Sequence, residues 1–182
     1  MTTTMVRPTV ASYLALREGE KPYREFVFGE IREKAMPNQP HADSVQVFAE
    51  AFGRYRQTAG GRSGPEGRVR FATIRGEEFR LPDYAYWAPG KPRSDGQYLL
   101  PPTLAVEVRS PDESMNHQRD KCRYYREHGI DVCWLVDPKF RVVEVFEGAR
   151  DAEPVERTGM LRSVHLPGFE LALADLWAAI AP

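Results

Sequence analysis

Two short apolar runs constrain this chain more than any other feature. Thr103-Leu-Ala-Val-Glu-Val108 and Asp131-Val-Cys-Trp-Leu-Val-Asp137 have the length of strands, and nearly every inner side chain is apolar. Runs of that kind belong in the middle of a sheet covered on both faces. Between them, Met115 to His128 reads as a polar helix closed by Gly129, a residue that readily ends helices. Layers on both sides of such a sheet must come from the remaining residues. The expected fold class is therefore α/β, a mixed β-sheet flanked by helices, over a single domain spanning 1–182. With 42% hydrophobic residues the chain can build a real core, which excludes wholesale disorder.

The flanking segments supply those layers. Pro8 opens a short helix with Val10, Tyr13, Leu14 and Leu16 on its apolar face, ended by Gly19. Residues 24–34 alternate on either side of Gly29 and read as a β-hairpin. Val45, Phe48, Phe52 and Tyr55 recur at helical spacing, predicting a helix over 41–57 with Asp43 or Ser44 near its start. Thr58 to Gly67 reads as a flexible loop on its glycine content, followed by short strands over 68–73, 79–81 and 84–87. Ala88 to Pro102 reads as a long surface excursion. Further strands are expected over 141–147 and 161–166, with a turn at 148–151 between them, and a closing helix over 173–180.

Charge and cysteine content narrow the functions. Twenty-five Lys+Arg against twenty-six Asp+Glu leave a net charge of −1, so nucleic-acid binding must come from a local patch. Cys122 and Cys133 are too few for a disulfide framework or a four-ligand zinc site, and lie in apolar-patterned segments as reduced core thiols. No run approaches the ~18 apolar residues that span a bilayer. The first residues carry no apolar signal segment, so a soluble, cytoplasmic protein without a membrane partner is expected.

The chemistry points to carboxylates. Glu107 interrupts an apolar strand, where an ionised carboxylate is costly unless paired. It either meets solvent beside an arginine or serves as a metal ligand where loops converge. Asp83, in Leu81-Pro-Asp-Tyr84, begins one expected strand, and Glu107 ends another. Two such carboxylates make an oxygen-rich site suited to Mg²⁺, with ligand distances of about 2.0–2.1 Å. The accompanying cation is either Arg109, two residues after Glu107, or Lys121 on the next helix, with Tyr125 one turn further on the same face. Arg109 stays protonated. A lysine can lose its proton if burial lowers its pKa, although neighbouring carboxylates oppose that shift.

Pro82-Asp83, Leu104-Ala-Val-Glu-Val-Arg-Ser-Pro111, Lys121-Cys-Arg-Tyr-Tyr125 and Gly129-Ile-Asp-Val-Cys-Trp-Leu-Val-Asp-Pro138 together resemble the Uma-two family of restriction-endonuclease-like proteins, a branch of the PD-(D/E)XK nuclease superfamily. Glu25-Phe-Val-Phe-Gly-Glu30, His41 and Leu166-Pro-Gly-Phe169 extend the resemblance almost end to end. It implies a restriction-endonuclease-like core, a divalent metal (Mg²⁺ or Mn²⁺), hydrolysis of nucleic-acid phosphodiesters with DNA the expected substrate, and a homodimer. Asp83 and Glu107 match the metal-binding carboxylates, and Lys121 the catalytic lysine. Glu30, His41 and Tyr125 match accessory positions. Arg109 departs from the pattern, since the family usually has an apolar residue there. The competing expectation is a catalytically weak or inert nuclease-fold module for binding or assembly.

Between Arg54 and Arg80, seven arginines face three glutamates, a surplus of four positive charges. Arg62, Arg68 and Arg70 are the expected nucleic-acid contacts, since guanidinium groups suit phosphate. The alternative is a solvated, mobile segment. Trp87, Trp134 and Trp177 read as core or sheet-edge aromatics.

Overall fold

The computed structural model describes residues 7–16 and 18–180. The chain opens with helix α1 (Val10–Leu14), the hairpin β1 (Arg24–Val27) and β2 (Glu30–Glu33), and the long helix α2 (Gln39–Ala59). Strands β3 (Arg62–Pro65), β4 (Val69–Thr73), β5 (Gly76–Arg80), β6 (Tyr84–Trp87) and β7 (Leu104–Val108) precede helix α3 (Met115–Glu127). Then come β8 (Val132–Asp137), β9 (Val142–Glu147), β10 (Arg150–Val155), β11 (Met160–Leu161), β12 (Leu171–Ala172) and helix α4 (Leu173–Ala179).

Among the described residues the strands form a six-stranded sheet in the order β10-β9-β8-β7-β6-β3, a four-stranded sheet β2-β1-β5-β4 and the short pair β11-β12. The two apolar runs are β7 and β8, which pair in parallel through α3, while β6 and β9 flank them antiparallel. Period-two alternation sorts their side chains into two layers. Leu104, Val106, Val108, Trp134 and Val136 pack with Phe48 and Phe52 of α2 and Leu176 and Trp177 of α4. Ala105, Cys133 and Leu135 face the other way, onto Cys122 and Tyr125 of α3 and Phe71 of β4. Each Val or Leu fully buried here contributes about 1.5–3 kcal/mol. Glu107, 2% exposed, occupies one of these positions.

The four-stranded sheet lies over the α3 layer and is itself two-faced. Phe26 and Phe79 meet Tyr13 of α1 on its outer side. Glu25 of β1 and Arg80 of β5, displaced by one residue, turn inward toward α3; the Arg80 guanidinium lies 3.6 Å from the Tyr124 ring centre.

Several expectations are corrected. The glycine-rich stretch 58–67 holds strand β3, paired antiparallel with β6 from Arg62↔Trp87 to Pro65↔Tyr84. A sheet edge tolerates Pro and Gly because only one side of the strand needs partners. Gly61 permits that approach: at φ +82°, a Cβ there would lie 2.5 Å from the Trp87 carbonyl oxygen. Strand β10 fills the second edge, where only a turn was expected, with a register shift between Arg150 and Glu153. The strand expected over 161–166 shrinks to Met160–Leu161; beyond it, Val164 N–H donates to Glu147 at 3.1 Å and the chain turns. Helix α2 begins earlier than expected, capped by Asn38 rather than Asp43 or Ser44, and α1 ends at Leu14. Trp87, Trp134 and Trp177 are buried, as expected.

Candidate metal and phosphodiester site

Asp83 and Glu107 meet because of strand register. Tyr84 of β6 pairs with Val106 of β7, so one step further along that register Asp83 stands opposite Glu107. Both belong to the face that carries Ala85 and Ala105 against α3. The Val108 N–H donates to Asp83 Oδ2 at 2.7 Å, which ties the end of β6 to β7. Like charges placed directly opposite are destabilising, and these two are almost completely buried. Compensating cations are therefore required.

Three elements deliver them. Lys34, just after β2, donates to Asp83 Oδ1 at 2.7 Å and to the Leu81 carbonyl at 2.8 Å. His41, in the first turn of α2, places Nε2 3.2 Å from Asp83 Oδ2. Lys121 of α3 sits between two carboxylates, with Nζ 3.1 Å from Glu107 and 3.1 Å from Glu25 Oε1. Tyr125, one turn on, donates its hydroxyl to Glu107 Oε1 at 2.8 Å. Glu25 also accepts the Leu81 N–H at 2.8 Å. With Glu107 ionised and His41 neutral, three carboxylates and two ammoniums leave a net charge of −1 in the cluster.

This environment separates the two carboxyls. Burial alone would raise Asp83, but the Lys34 ammonium and the His41 hydrogen bond hold it well below the usual carboxylate range. Burial, joined by Asp83 and Glu25, pushes Glu107 up to about 7 against the pull of Lys121 and Lys34. Burial would lower Lys121, yet Glu107 and Glu25 keep its pKa above the ordinary lysine value. Lys121 is thus a fixed cation here, and the deprotonated form considered from sequence is disfavoured.

Arg109 does not join the cluster. It donates to Asp137 Oδ2 at 2.6 Å and to the Glu113 carbonyl at 2.8 Å, and it faces a neighbouring cleft. The expectation that it contends with Lys121 for Glu107 is corrected, because Asp137 of the adjacent parallel strand is the nearer partner. Glu30 is also placed elsewhere, on exposed β2 with Arg32 at 2.9 Å. Two members of the cluster, Lys34 and Glu25, carry no assigned role in the sequence reading. Glu25 had one usable signal: it shares the inward face of β1 with Val27, beside outward Phe26.

Part of the arginine-rich region resolves into packing. Arg68 stacks over the Tyr13 ring at 4.6 Å and donates to the Leu16 carbonyl. Arg70 pairs with Asp95 at 2.5 Å, and Arg80 with Glu78 at 2.9 Å. Of the three expected nucleic-acid contacts only Arg62, on edge strand β3, is exposed. Arg68, Arg70 and Arg80 are thus spent within the fold, while Arg54, Arg62 and Arg75 remain exposed.

Asp83 and Glu107 open onto a narrow cleft bordered also by Glu66, Ser110 and Glu113, with free space for about one water. Hard oxygen donors of this kind suit Mg²⁺ or Mn²⁺. Asp83 Oδ1 and Glu107 Oε2 each accept a single hydrogen bond, leaving one lone pair apiece for a cation. Among the described residues no three His, Cys, Asp or Glu side chains converge in ligating geometry. The donor set therefore fits a hydrated divalent cation held by two carboxylates, and does not fit an all-protein cage.

Comparison with known proteins agrees with this architecture. The model of the Uma2 (Uma-two) family, described as "Putative restriction endonuclease", matches residues 10–174. A crystal structure of a "putative nuclease belonging to DUF820" from Anabaena variabilis superposes with a TM-score of 0.79 at 22% identity, covering 94% of this chain and 98% of that one. No curated protein matches.

Proposed function

Because the chain belongs to the Uma2 family of restriction-endonuclease-like proteins, we propose that it is a divalent-metal-dependent endonuclease acting on DNA. One observation carries the reading: Asp83 and Glu107 stand opposite each other in one cleft, with Lys121 Nζ bonded to Glu107. Asp83 and Glu107 would hold the cation, which when bound supplies Lewis-acid charge beside the scissile phosphate. The chain's own residues do the rest. Lys34 and the Val108 N–H fix the Asp83 carboxylate, and Tyr125 fixes that of Glu107. Lys121 keeps its proton and acts as a donor that orients water or stabilises charge growing on the phosphate. His41, bonded to Asp83 through Nε2, has a buried Nδ1 without a hydrogen-bond partner at the cleft wall.

The inert binding module is favoured by a different observation: every oxygen of both carboxylates already accepts from protein donors. Supercoiled plasmid incubated with Mg²⁺ or Mn²⁺ separates the two readings. The nuclease reading expects nicking that EDTA stops and that Asp83→Asn and Glu107→Gln abolish, each with its circular dichroism retained. Calorimetry showing no Mn²⁺ uptake, with intact plasmid, would establish the inert module. The proposal includes a homodimer, which light scattering tests. No helix among the described residues is long and apolar enough to cross a membrane.

A further inference from the structure

The β8–β9 turn carries features that the carboxylate cluster does not use. Asp137-Pro138-Lys139-Phe140-Arg141 reverses the chain, with Asp137 Oδ1 accepting the N–H groups of Lys139 at 3.0 Å and Phe140 at 3.1 Å. Arg141 adopts the left-handed region at φ +53°, which favours Gly or Asn, yet the position carries a long cation. Phe140 is 64% exposed, an unusual place for a large aromatic ring, and Lys139 Nζ lies 5.5 Å from the ring centre. The tip therefore displays a cation, an aromatic face and a second cation in succession.

Asp137, Pro138, Lys139 and Arg141 border a cleft of about 350 Å³ together with Arg109, Asn38 and Ile180, and the exposed Phe140 ring stands on the turn outside its lining. The carboxylate in its lining, Asp137, is neutralised by Arg109 at 2.6 Å, which leaves Lys139 and Arg141 uncompensated there. The N-terminus of the 21-residue helix α2, at Asn38, opens onto the same space and adds partial positive charge. Ser110 borders both this cleft and the one holding Asp83 and Glu107, so the two are immediate neighbours.

We propose that this cleft and the turn at its rim form a binding site for a nucleic-acid strand, with Lys139 and Arg141 on backbone phosphates and Phe140, at the tip of the turn, stacked on an unpaired base, and that the strand passes from here to the carboxylates. Backbone charge and a π-face are recognised together in this way when single strands bind. A free phosphate would use the cations and leave Phe140 idle. The last clause of the proposal rests on the nuclease reading; the binding site itself does not.

The test is fluorescence anisotropy with a labelled single-stranded oligonucleotide in EDTA over a salt series, run beside the plasmid assay. The variants are Lys139→Ala/Arg141→Asn, whose Asn suits the left-handed turn, and Phe140→Ala; circular dichroism checks each fold. The double variant should lower the slope of log affinity against log salt by about 1.4, at ~0.7 per phosphate contact on single strands. Phe140→Ala should bind on the order of tenfold more weakly with the slope unchanged. If wild type nicks plasmid while both variants bind as wild type does, this site is refuted and the nuclease reading stands. Loss of binding in the variants with no nicking by wild type supports the site and removes the nuclease. Failure of wild type to bind the oligonucleotide overturns the site. Displacement by millimolar inorganic phosphate, with Phe140→Ala unchanged, reduces the cleft to an anion pocket and also overturns it.

Discussion

Replacing Lys34 by Met removes the cation nearest Asp83 while keeping most of the side-chain volume. The pair is 2.7 Å long, with side chains 13% and 3% exposed, so it is a buried ion pair. Breaking such a pair from one side typically costs 3–5 kcal/mol, because the remaining charge stays buried. Asp83 keeps the Val108 N–H and His41, which places the expected loss near the lower end, about 3 kcal/mol at pH 7. The pH dependence has a definite sign. In wild type the Asp83 carboxyl is held far below its ordinary value, so its contribution is present above about pH 3.8 and disappears only as pH falls toward the depressed folded value. Lys34 is the largest of the influences lowering it, so the variant's Asp83 protonates at higher pH and sheds its unpaired charge earlier. Urea unfolding of both proteins at pH 7 and again near pH 4 reads the difference. The gap should be wide at pH 7 and narrower at the acid end. An equal gap at both values, or none at pH 7, would show that Lys34 does not neutralise Asp83.

Glu107, with its folded pKa raised from 4.5 to about 7, contributes stability that is full below pH 4.5 and lost as pH rises through 7. Glu107→Gln should flatten that part of a urea-midpoint profile, and an unchanged profile would contradict the assignment. Arg68→Ala should cost about 1–2 kcal/mol through the lost stack on Tyr13, with no change in the salt slope of oligonucleotide binding. A reduced slope would return Arg68 to the nucleic-acid surface. Gly61→Ala should cost more than about 1 kcal/mol in thermal unfolding, since φ +82° and the Trp87 carbonyl both exclude a methyl group; a neutral result would mean that β3 detaches easily from β6.

What the sequence reveals of the site depends on how each residue announces itself. Glu107 is legible because it interrupts an apolar strand, and Lys121 and Tyr125 because i, i+4 spacing on a helix leaves them one face. Asp83 is legible by its Pro-Asp start before a strand. Lys34 and Glu25 are not, for they reach the cluster through the four-stranded sheet folding over α3, a long-range event without local spacing. Arg68, Arg70 and Arg80 misled for the converse reason: composition counts their charge, while Asp95, Glu78 and the rings of Tyr13 and Tyr124 consume it. The central elements were likewise plain from periodicity. Edge strands β3 and β10 were not, since one-sided pairing leaves them rich in Gly, Pro and charged residues.

The ion cluster also limits how this sequence can drift. Glu25, Lys34, Asp83, Glu107 and Lys121 belong to five separate stretches of chain, and each of the five has at least one of the others as its charge partner. Exchanging Lys34 or Lys121 for an apolar residue leaves a buried carboxylate without its ammonium, whereas exchanging the whole set for well-packed apolar residues need not destabilise at all. Effects at sites coupled in this way are not additive, so a path of single steps between those two states descends through poorly folded intermediates before it climbs out. The cluster therefore acts as a ratchet on divergence: a descendant that no longer needed its chemistry would still be held to its charges.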